Sequence, residues 1–281
     1  MINRCYLETT NICNLSCKFC PKNERPKKRL SIQEFNELTD KLIGEVKFLY
    51  LHLMGEPLLN KDLPEFVRIA REKGFVPIVT TNGTLLGGPI AQPLIEANPY
   101  KIQISLHSHE GNGFSNQDEY ISQVVNFARE SASQGIITTL RLWNEGGYNS
   151  ANSDILNLIS QQLPQPWTKR DDGFKIAKNI YLEYDKMFEW PDEKHAEFQE
   201  PEVFCYGLRN QIGVLVDGSV VPCCLDHDGT ITLGNLHQST LQEILSSPRA
   251  TAIYEGFSKH TAVEEFCRKC GYANVGKRYR G

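Results

Sequence analysis

The stretch Cys13-Asn14-Leu15-Ser16-Cys17-Lys18-Phe19-Cys20 places three thiols on one short loop in the order CxxxCxxC. A structural zinc site takes four ligands and closes completely. A 4Fe-4S cluster, by contrast, can be held by three cysteines while its fourth iron stays open to a small-molecule chelate. The spacing therefore points to an iron–sulfur centre with a working vacancy. One CxxC pair alone would equally suit a zinc knuckle or a thioredoxin-like site, so the reading rests on what the rest of the chain supplies.

At 281 residues the chain can bury a large core, and one barrel-like domain with an appendage is the natural division. A net charge of −4 gives no general attraction to nucleic acid or to an anionic membrane, so neither is expected as a partner. Met1-Ile2-Asn3-Arg4-Cys5-Tyr6-Leu7 lacks the apolar core of a signal peptide, and no apolar run approaches the ~20 residues of a membrane span. The chain therefore reads as cytoplasmic, where nine cysteines argue for metal ligation rather than a disulfide framework.

Arg4 to Thr9 reads as a strand that delivers the thiol loop, with Cys5 in its core face. Pro21 to Arg29 is polar and basic, and its two prolines exclude helix; it reads as a solvated loop, or else as a docking site for an acidic electron donor. Ser31-Ile32-Gln33-Glu34 has the form of a capping box and predicts a helix to about Ile43. A strand over Phe48 to Leu53 ends in Met54-Gly55-Glu56-Pro57, where a glycine and a carboxylate suit close approach to a ligand ammonium. The alternation continues with a helix from Asp62 to Lys73, a strand from Val76 to Thr80 ending in Thr81-Asn82-Gly83-Thr84, a helix from Ile90 to Ala97 and a strand from Lys101 to Leu106. A helix from Tyr120 to Gln134, a strand from Ile136 to Leu142, a helix from Asp154 to Gln162 and a strand from Ile180 to Tyr184 complete it. This is the rhythm of a parallel sheet with crossover helices, the last helix being absent. Leu163 to Asn179 reads as a long irregular insertion and a candidate lid.

The C-terminal part reads Cys205, Gly218, Cys223 and then Cys267-Arg268-Lys269-Cys270. Asp217-Gly218 between two apolar runs predicts a hairpin with a type I′ turn, which folds Cys223 back toward Cys205. A helix near Leu241 to Leu245 returns the chain to the last pair. Four thiolates from three segments suit a cubane or a zinc ion. Cys224 alternates away from Cys223 and is expected to be a buried thiol.

CxxxCxxC with an aromatic, Phe19, before the last cysteine resembles the cluster loop of the radical S-adenosylmethionine (SAM) superfamily. Met54-Gly55-Glu56-Pro57 resembles that family's Gly-Gly-Glu-Pro motif, with methionine at the first glycine. The C-terminal cysteine spacing, with Val221-Pro222 and Leu233-Gly234-Asn235-Leu236 inside it, resembles the Twitch form of the SPASM domain, shortened so that it holds one auxiliary cluster rather than two. The resemblance covers the whole chain. It implies an α/β fold, a partial (β/α)6 TIM-type barrel over residues 1–200 with a small α+β iron–sulfur domain over residues 201–281, and two 4Fe-4S clusters with SAM as cofactors. Cys13, Cys17 and Cys20 would hold the first cluster, and Cys205, Cys223, Cys267 and Cys270 the second.

In such barrels chemistry collects at the C-terminal ends of the strands. That rule selects Gly55, Glu56 and Pro57, Asn82, Ser105, His107, Arg141 and the run Glu183-Tyr184-Asp185. By resemblance, Glu56 and its neighbours would meet the methionyl amine of SAM, the backbone near Phe19 its adenine, and Ser105, His107 and Arg141 its ribose and carboxylate. The family's chemistry is reductive cleavage of SAM to a 5′-deoxyadenosyl radical, fed by a flavodoxin or ferredoxin type electron donor. A fully ligated second cluster suits electron relay, so oxidation of an alcohol on a small sugar or aminocyclitol leads, with Glu183, Tyr184, Asp185 or His107 as the base. A compact dehydrogenase branch of the family shares this plan. Peptide modification is the alternative, although many such relatives carry a leader-binding domain ahead of the barrel, and here the first strand begins within four residues of Met1. Sugar epimerisation would need a thiol such as Cys224 beside the substrate. A non-catalytic iron–sulfur or zinc scaffold is the remaining class, separated from the others by whether 5′-deoxyadenosine forms.

Overall fold

Arg4–Leu7 alternates half-buried and buried residues and forms the first strand, β1, of a sheet that runs through the whole molecule. The computed structural model describes residues 2–21, 24–112, 116–192 and 203–275. After β1 the chain runs α1 (Ile32–Asp40), β2 (Phe48–Tyr50), a 3-10 turn (Pro57–Leu59), α2 (Leu63–Glu72), β3 (Val76–Thr81), α3 (Ala91–Ala97) and β4 (Lys101–Ser105). It continues with α4 (His107–Glu110), α5 (Gln117–Ser133), β5 (Ile137–Glu145), α6 (Asn152–Gln162), β6 (Thr168–Arg170), β7 (Gly173–Ala177) and β8 (Ile180–Lys186). The C-terminal part contributes β9 (Gln211–Val214), β10 (Ser219–Val221), β11 (Gly234–Asn235), α7 (Leu241–Leu245), α8 (Pro248–Ser258), α9 (Glu265–Arg268) and α10 (Gly271–Val275).

β1, β2, β3, β4, β5 and β8 pair in parallel in that order, which is the expected set of six strands with no helix after the last. The sheet is open: β7 and β6 extend it antiparallel beyond β8, and β9, β10 and β11 extend it beyond β1. Residues 163–179 are therefore not the irregular lid expected from their prolines. Gly173 supplies the reason, because its backbone presses so closely on β8 that a Cβ would lie 2.0 Å from the Leu182 carbonyl oxygen, and Trp167 packs edge-on against Phe174. The C-terminal part is equally continuous with the barrel. β9 pairs in parallel with β1 from Arg4↔Gln211 to Leu7↔Val214, and one apolar core spans both parts. The boundary near residue 200 lies outside the described residues.

Ser31 caps α1 as a true capping box, its hydroxyl accepting the Glu34 N–H while the Glu34 carboxylate accepts the Ser31 N–H. The helix stops at Asp40, short of Ile43. Phe35 of α1 and Phe66 of α2 stack with centroids 4.4 Å apart and are fully buried, so truncating either to alanine would cost about 3–5 kcal/mol. In the C-terminal hairpin only Gly218 has positive φ, and its N–H donates to the Leu215 carbonyl. The turn is thus of the longer kind ending in a left-handed glycine rather than the expected two-residue type I′.

Candidate active site

The loop that carries Cys13, Cys17 and Cys20 leaves the C-terminal end of β1, and the backbone of the following strand end is sewn to it. The Glu56 N–H donates to the Ile12 carbonyl at 2.8 Å. Gly55 sits at φ +76°, and a Cβ there would meet the Thr10 and Ile12 carbonyl oxygens at 2.4 and 2.8 Å, so only glycine admits this approach. The Glu56 carboxylate is buried and occupied: it accepts from Thr81 Oγ1 at 2.7 Å, from the Asn82 N–H at 2.7 Å and from the Leu58 N–H at 3.0 Å. Burial still pushes its carboxyl up to about 7, against those three donors. The side chain expected to face a ligand ammonium thus braces the end of β2 to the end of β3.

The three thiols are close enough to disfavour one another's ionisation. Burial, and then the neighbouring Cys17 and Cys13, push Cys20 up to about 12. Cys17 Sγ accepts Asn112 Nδ2 at 2.9 Å, and Cys13 Sγ accepts the Leu15 N–H at 3.4 Å. Crowded thiols that receive N–H donors while opposing each other's charge are a donor set for a polynuclear cation, and they fit an iron–sulfur cluster. Among the described residues, no group of three or more His, Cys, Asp or Glu closes on a single metal ion.

Around this loop stand several of the expected side chains. Asn82 donates to Asn14 Oδ1 at 2.9 Å and its carbonyl accepts from the Tyr120 hydroxyl, so it is fixed at the loop's edge. The Phe19 ring lies 5.2 Å from that of His107 and packs against Gly111. His107 and His109 are not on a strand: both are buried in the short turn α4. Burial and the Arg141 charge push His107 down to about 4, and its Nδ1 receives the Trp143 N–H at 3.3 Å, so it is held neutral.

The registers put Tyr6, Tyr50, Gln103, Ser105, Thr139, Arg141, Tyr181 and Glu183 on one face of the parallel strands, while Leu7, Leu49, Ile102, Ile104, Leu140 and Leu182 fill the helix-covered face. Arg141 Nη2 donates to Ser105 Oγ at 2.7 Å and the guanidinium lies 4.3 Å from the Trp143 ring centroid. Glu183 pairs with Lys101 at 3.1 Å, the structural alternative to a free base. Tyr184 falls on the other face, edge-on to Phe174, away from Glu183 and Asp185. Tyr6 stacks on Tyr50 at 4.7 Å and meets His52 edge-on. Cys224 is not simply a core thiol. It packs with Tyr6, Cys20 and Trp190 onto a small apolar cluster of Leu53, Met54, Leu215 and Val221, and it is hydrogen-bonded to Tyr6.

In the C-terminal part Cys205, Cys223, Cys267 and Cys270 converge. Burial pushes Cys205 up to about 11, with Cys270 adding to it, and Cys223 is raised by burial and then by Cys205, Cys224, Cys270 and Cys267. The Gly207 N–H donates to Cys205 Sγ at 3.2 Å. This set also fits a cluster, on the same grounds as the first. Between the two sets lies a buried ion pair absent from the sequence reading. Glu8 accepts two bonds from Arg25, at 2.6 and 2.9 Å, together with the N–H groups of Met54 and Val216, while Arg25 Nε donates to the His227 carbonyl at 2.9 Å. The basic loop is accordingly no solvated segment at Arg25, and Lys28 is paired with Glu34 at 2.7 Å.

Residues 7–160 match the radical SAM superfamily. The chain belongs to that superfamily. Residues 205–271 match the SPASM iron–sulfur cluster-binding domain, so this radical SAM enzyme carries an auxiliary iron–sulfur domain. It is similar to the S-adenosyl-L-methionine-dependent 2-deoxy-scyllo-inosamine dehydrogenase of Niallia circulans, 22% identical over 96% of this chain and 92% of that protein. It is also similar to the tungsten-containing aldehyde ferredoxin oxidoreductase cofactor-modifying protein of Pyrococcus furiosus, 26% identical over 88% of this chain and 81% of the other. A Methanosarcina barkeri Fe-coproporphyrin III synthase is 37% identical, but over only 34% of this chain and 25% of that protein. Among solved structures, BtrN in complex with AdoMet and 2-DOIA shares the fold with a TM-score of 0.63 at 18% identity, covering 96% of this chain and 93% of that one. No helix among the described residues is long and apolar enough to cross a membrane.

Tyr6, Tyr50, His52, Lys101, Glu8 and Arg25 escaped the sequence reading. A signal was present for most of them. Parallel strands covered on both faces are usually apolar throughout, yet Arg4, Tyr6 and Glu8, then Tyr50 and His52, then Lys101, Gln103 and Ser105, recur at every second position.

Proposed function

We propose that this radical SAM enzyme oxidises an alcohol of a small, hydroxyl-rich molecule held on the polar face of the barrel. The observation that carries the reading is the proximity of Cys205, Cys223, Cys267 and Cys270 to one another; four cysteines on one cluster would leave no vacancy for substrate and would suit electron transfer. Cys13, Cys17 and Cys20 would hold the first cluster, and Gly55, Glu56, Pro57, Asn82, Ser105 and the backbone at Phe19 would frame SAM. When bound, the first cluster with SAM supplies a 5′-deoxyadenosyl radical that takes hydrogen from an unactivated carbon, and the second cluster supplies an electron acceptor. The chain's own work is to orient the hydroxyl, exclude water and take its proton. Glu183, paired with Lys101, and Asp185 at the outer end of the same strand face are the groups nearest that step. A one-electron donor of the flavodoxin or ferredoxin class would reduce the first cluster.

A second reading rests on one contact. The Cys224 thiol beside Tyr6 is suited to return a hydrogen atom to a substrate radical, which would make the reaction an epimerisation. Both readings are tested by incubating the anaerobically reconstituted enzyme with SAM, a strong reductant and carbon-deuterated polyols, sugars and aminocyclitols. Oxidation requires deuterium in 5′-deoxyadenosine and a ketone product. A redox-neutral product that carries solvent deuterium at one carbon selects epimerisation instead, and label transfer from peptides alone would refute both.

A further inference from the structure

Three polar atoms on the barrel's polar side are buried without a hydrogen-bond partner: Arg141 Nε, Thr139 Oγ1 and His52 Nδ1. Thr139 and Arg141 are two residues apart on β5 and face the same way, and His52 follows β2 close enough to Arg141 to feel its charge. A buried donor left unmade costs free energy that an incoming acceptor recovers. Arg141 is only 7% exposed, its Nη2 is tied to Ser105 and its plane is set by Trp143, so its Nε edge is held toward the interior. A guanidinium fixed in this way is matched to an oxyanion that can take its fork.

The charge balance of the same face agrees. Arg4, Lys101 and Arg141 alternate into the strand face that also carries Glu183, and Lys101 and Glu183 satisfy each other. Of the buried carboxylates at the strand ends, Glu8 is taken up by Arg25, and Glu56 is taken up by Thr81, Asn82 and Leu58. Arg4 and Arg141 remain without an ion pair among the described residues, whereas the further carboxylate of this face, Asp185, stands at the outer end of β8, two residues beyond Glu183. His52 is half-buried with its Nδ1 covered, and burial with the Arg141 charge pushes it down to about 3, so it adds hydrogen bonding but no further charge.

We propose that the interior site takes a hydroxyl-rich organic anion, its oxyanion seated on Arg141 with Thr139 and His52 beside it. This rests on the reading of the polar face as the substrate site, and it narrows that reading from sugars and aminocyclitols to sugars bearing an acidic group.

The test is direct binding to the reconstituted, SAM-loaded enzyme by calorimetry, using probes that share one carbon skeleton: D-gluconate, D-glucose 6-phosphate, D-glucose and D-glucosamine. Gluconate or glucose 6-phosphate should bind about 10-fold or more tightly than glucose, and glucosamine should bind weakest; which of the two anions wins separates a carboxylate from a phosphate. Arg141→Gln should abolish the preference and Arg141→Lys should keep part of it, with SAM affinity and iron content unchanged in both. Thr139→Val should weaken only the anion. Equal or tighter binding of glucosamine overturns the proposal. So does a loss of SAM affinity in Arg141→Gln with the anion preference intact, which would return Arg141 to the SAM carboxylate. Selective anion binding without deuterium transfer from any polyol would leave this site standing and sink the oxidation reading alone.

Discussion

Glu56 shows how a motif residue is held by neighbours that the motif does not name. Its carboxylate is spent on Thr81, Asn82 and Leu58, so its expected effect on SAM runs through the backbone it holds rather than by direct contact. Glu56→Gln places an amide where all three neighbours are donors, and should weaken SAM binding about 10-fold or more while leaving cluster iron intact. Titration of SAM into the reconstituted variant measures this, and unchanged affinity would reduce Gly55-Glu56-Pro57 to an ordinary turn. The same residue sets a pH dependence. Because burial raises its carboxyl from the ordinary 4.5 to about 7, the folded protein holds a proton that the unfolded chain releases between those values. Its contribution is full below about 4.5 and is lost as pH rises through about 7, so thermal midpoints should fall across that window and the slope should flatten in Glu56→Gln. The cysteines and Glu56 were legible because each motif lies within a few consecutive residues. The partners that decide what Glu56 does, Thr81 and Asn82, come from the next strand, and no local pattern names them.

At the scale of elements, parallel strands and crossover helices were legible from apolar rhythm, and α1 from its capping box. The β6–β7 hairpin was not: Thr168–Arg170 is exposed at every residue, so it carries no apolar alternation, and pairing of its partner strand with β8 is what makes it a strand. The thiol loop is the element on which function depends. Replacing Cys13, Cys17 and Cys20 together by alanine should leave about four of eight irons per chain after anaerobic reconstitution and abolish SAM cleavage. Iron analysis alongside 5′-deoxyadenosine assay decides this, and a wild type holding about four irons plus zinc would reassign the C-terminal thiols.

Across the whole molecule, the auxiliary part is not an appendage hung from a linker. Its first strand, β9, covers the open edge of β1, so a chain ending before Gln211 would expose an unpaired parallel strand and should be recovered mainly as aggregate, as size-exclusion chromatography would show. This continuity was invisible in the sequence, where Gly213-Val214-Leu215-Val216 announces a hairpin but not the strand it lies beside. The Glu8–Arg25 pair has a thermodynamic meaning as well. One carboxylate receives Met54 from the SAM end of the barrel and Val216 from the auxiliary part, while Arg25 holds the loop just beyond Cys224. A shared fastening gives two binding equilibria a physical route for coupling, and linkage makes any such influence mutual. Loading the auxiliary centre should tighten SAM, and SAM should in turn slow loss of auxiliary iron to a chelator. Removing both charges together, as Glu8→Gln with Arg25→Met, avoids stranding one buried ion. It should leave each site able to fill on its own schedule, so that Cys267→Ser should weaken SAM in the parent and leave it unchanged in the double variant. Uncoupled in this way, the two sites should load in any order, whereas in the native chain an empty auxiliary site should lower SAM affinity, as titration of SAM at graded iron loading would measure.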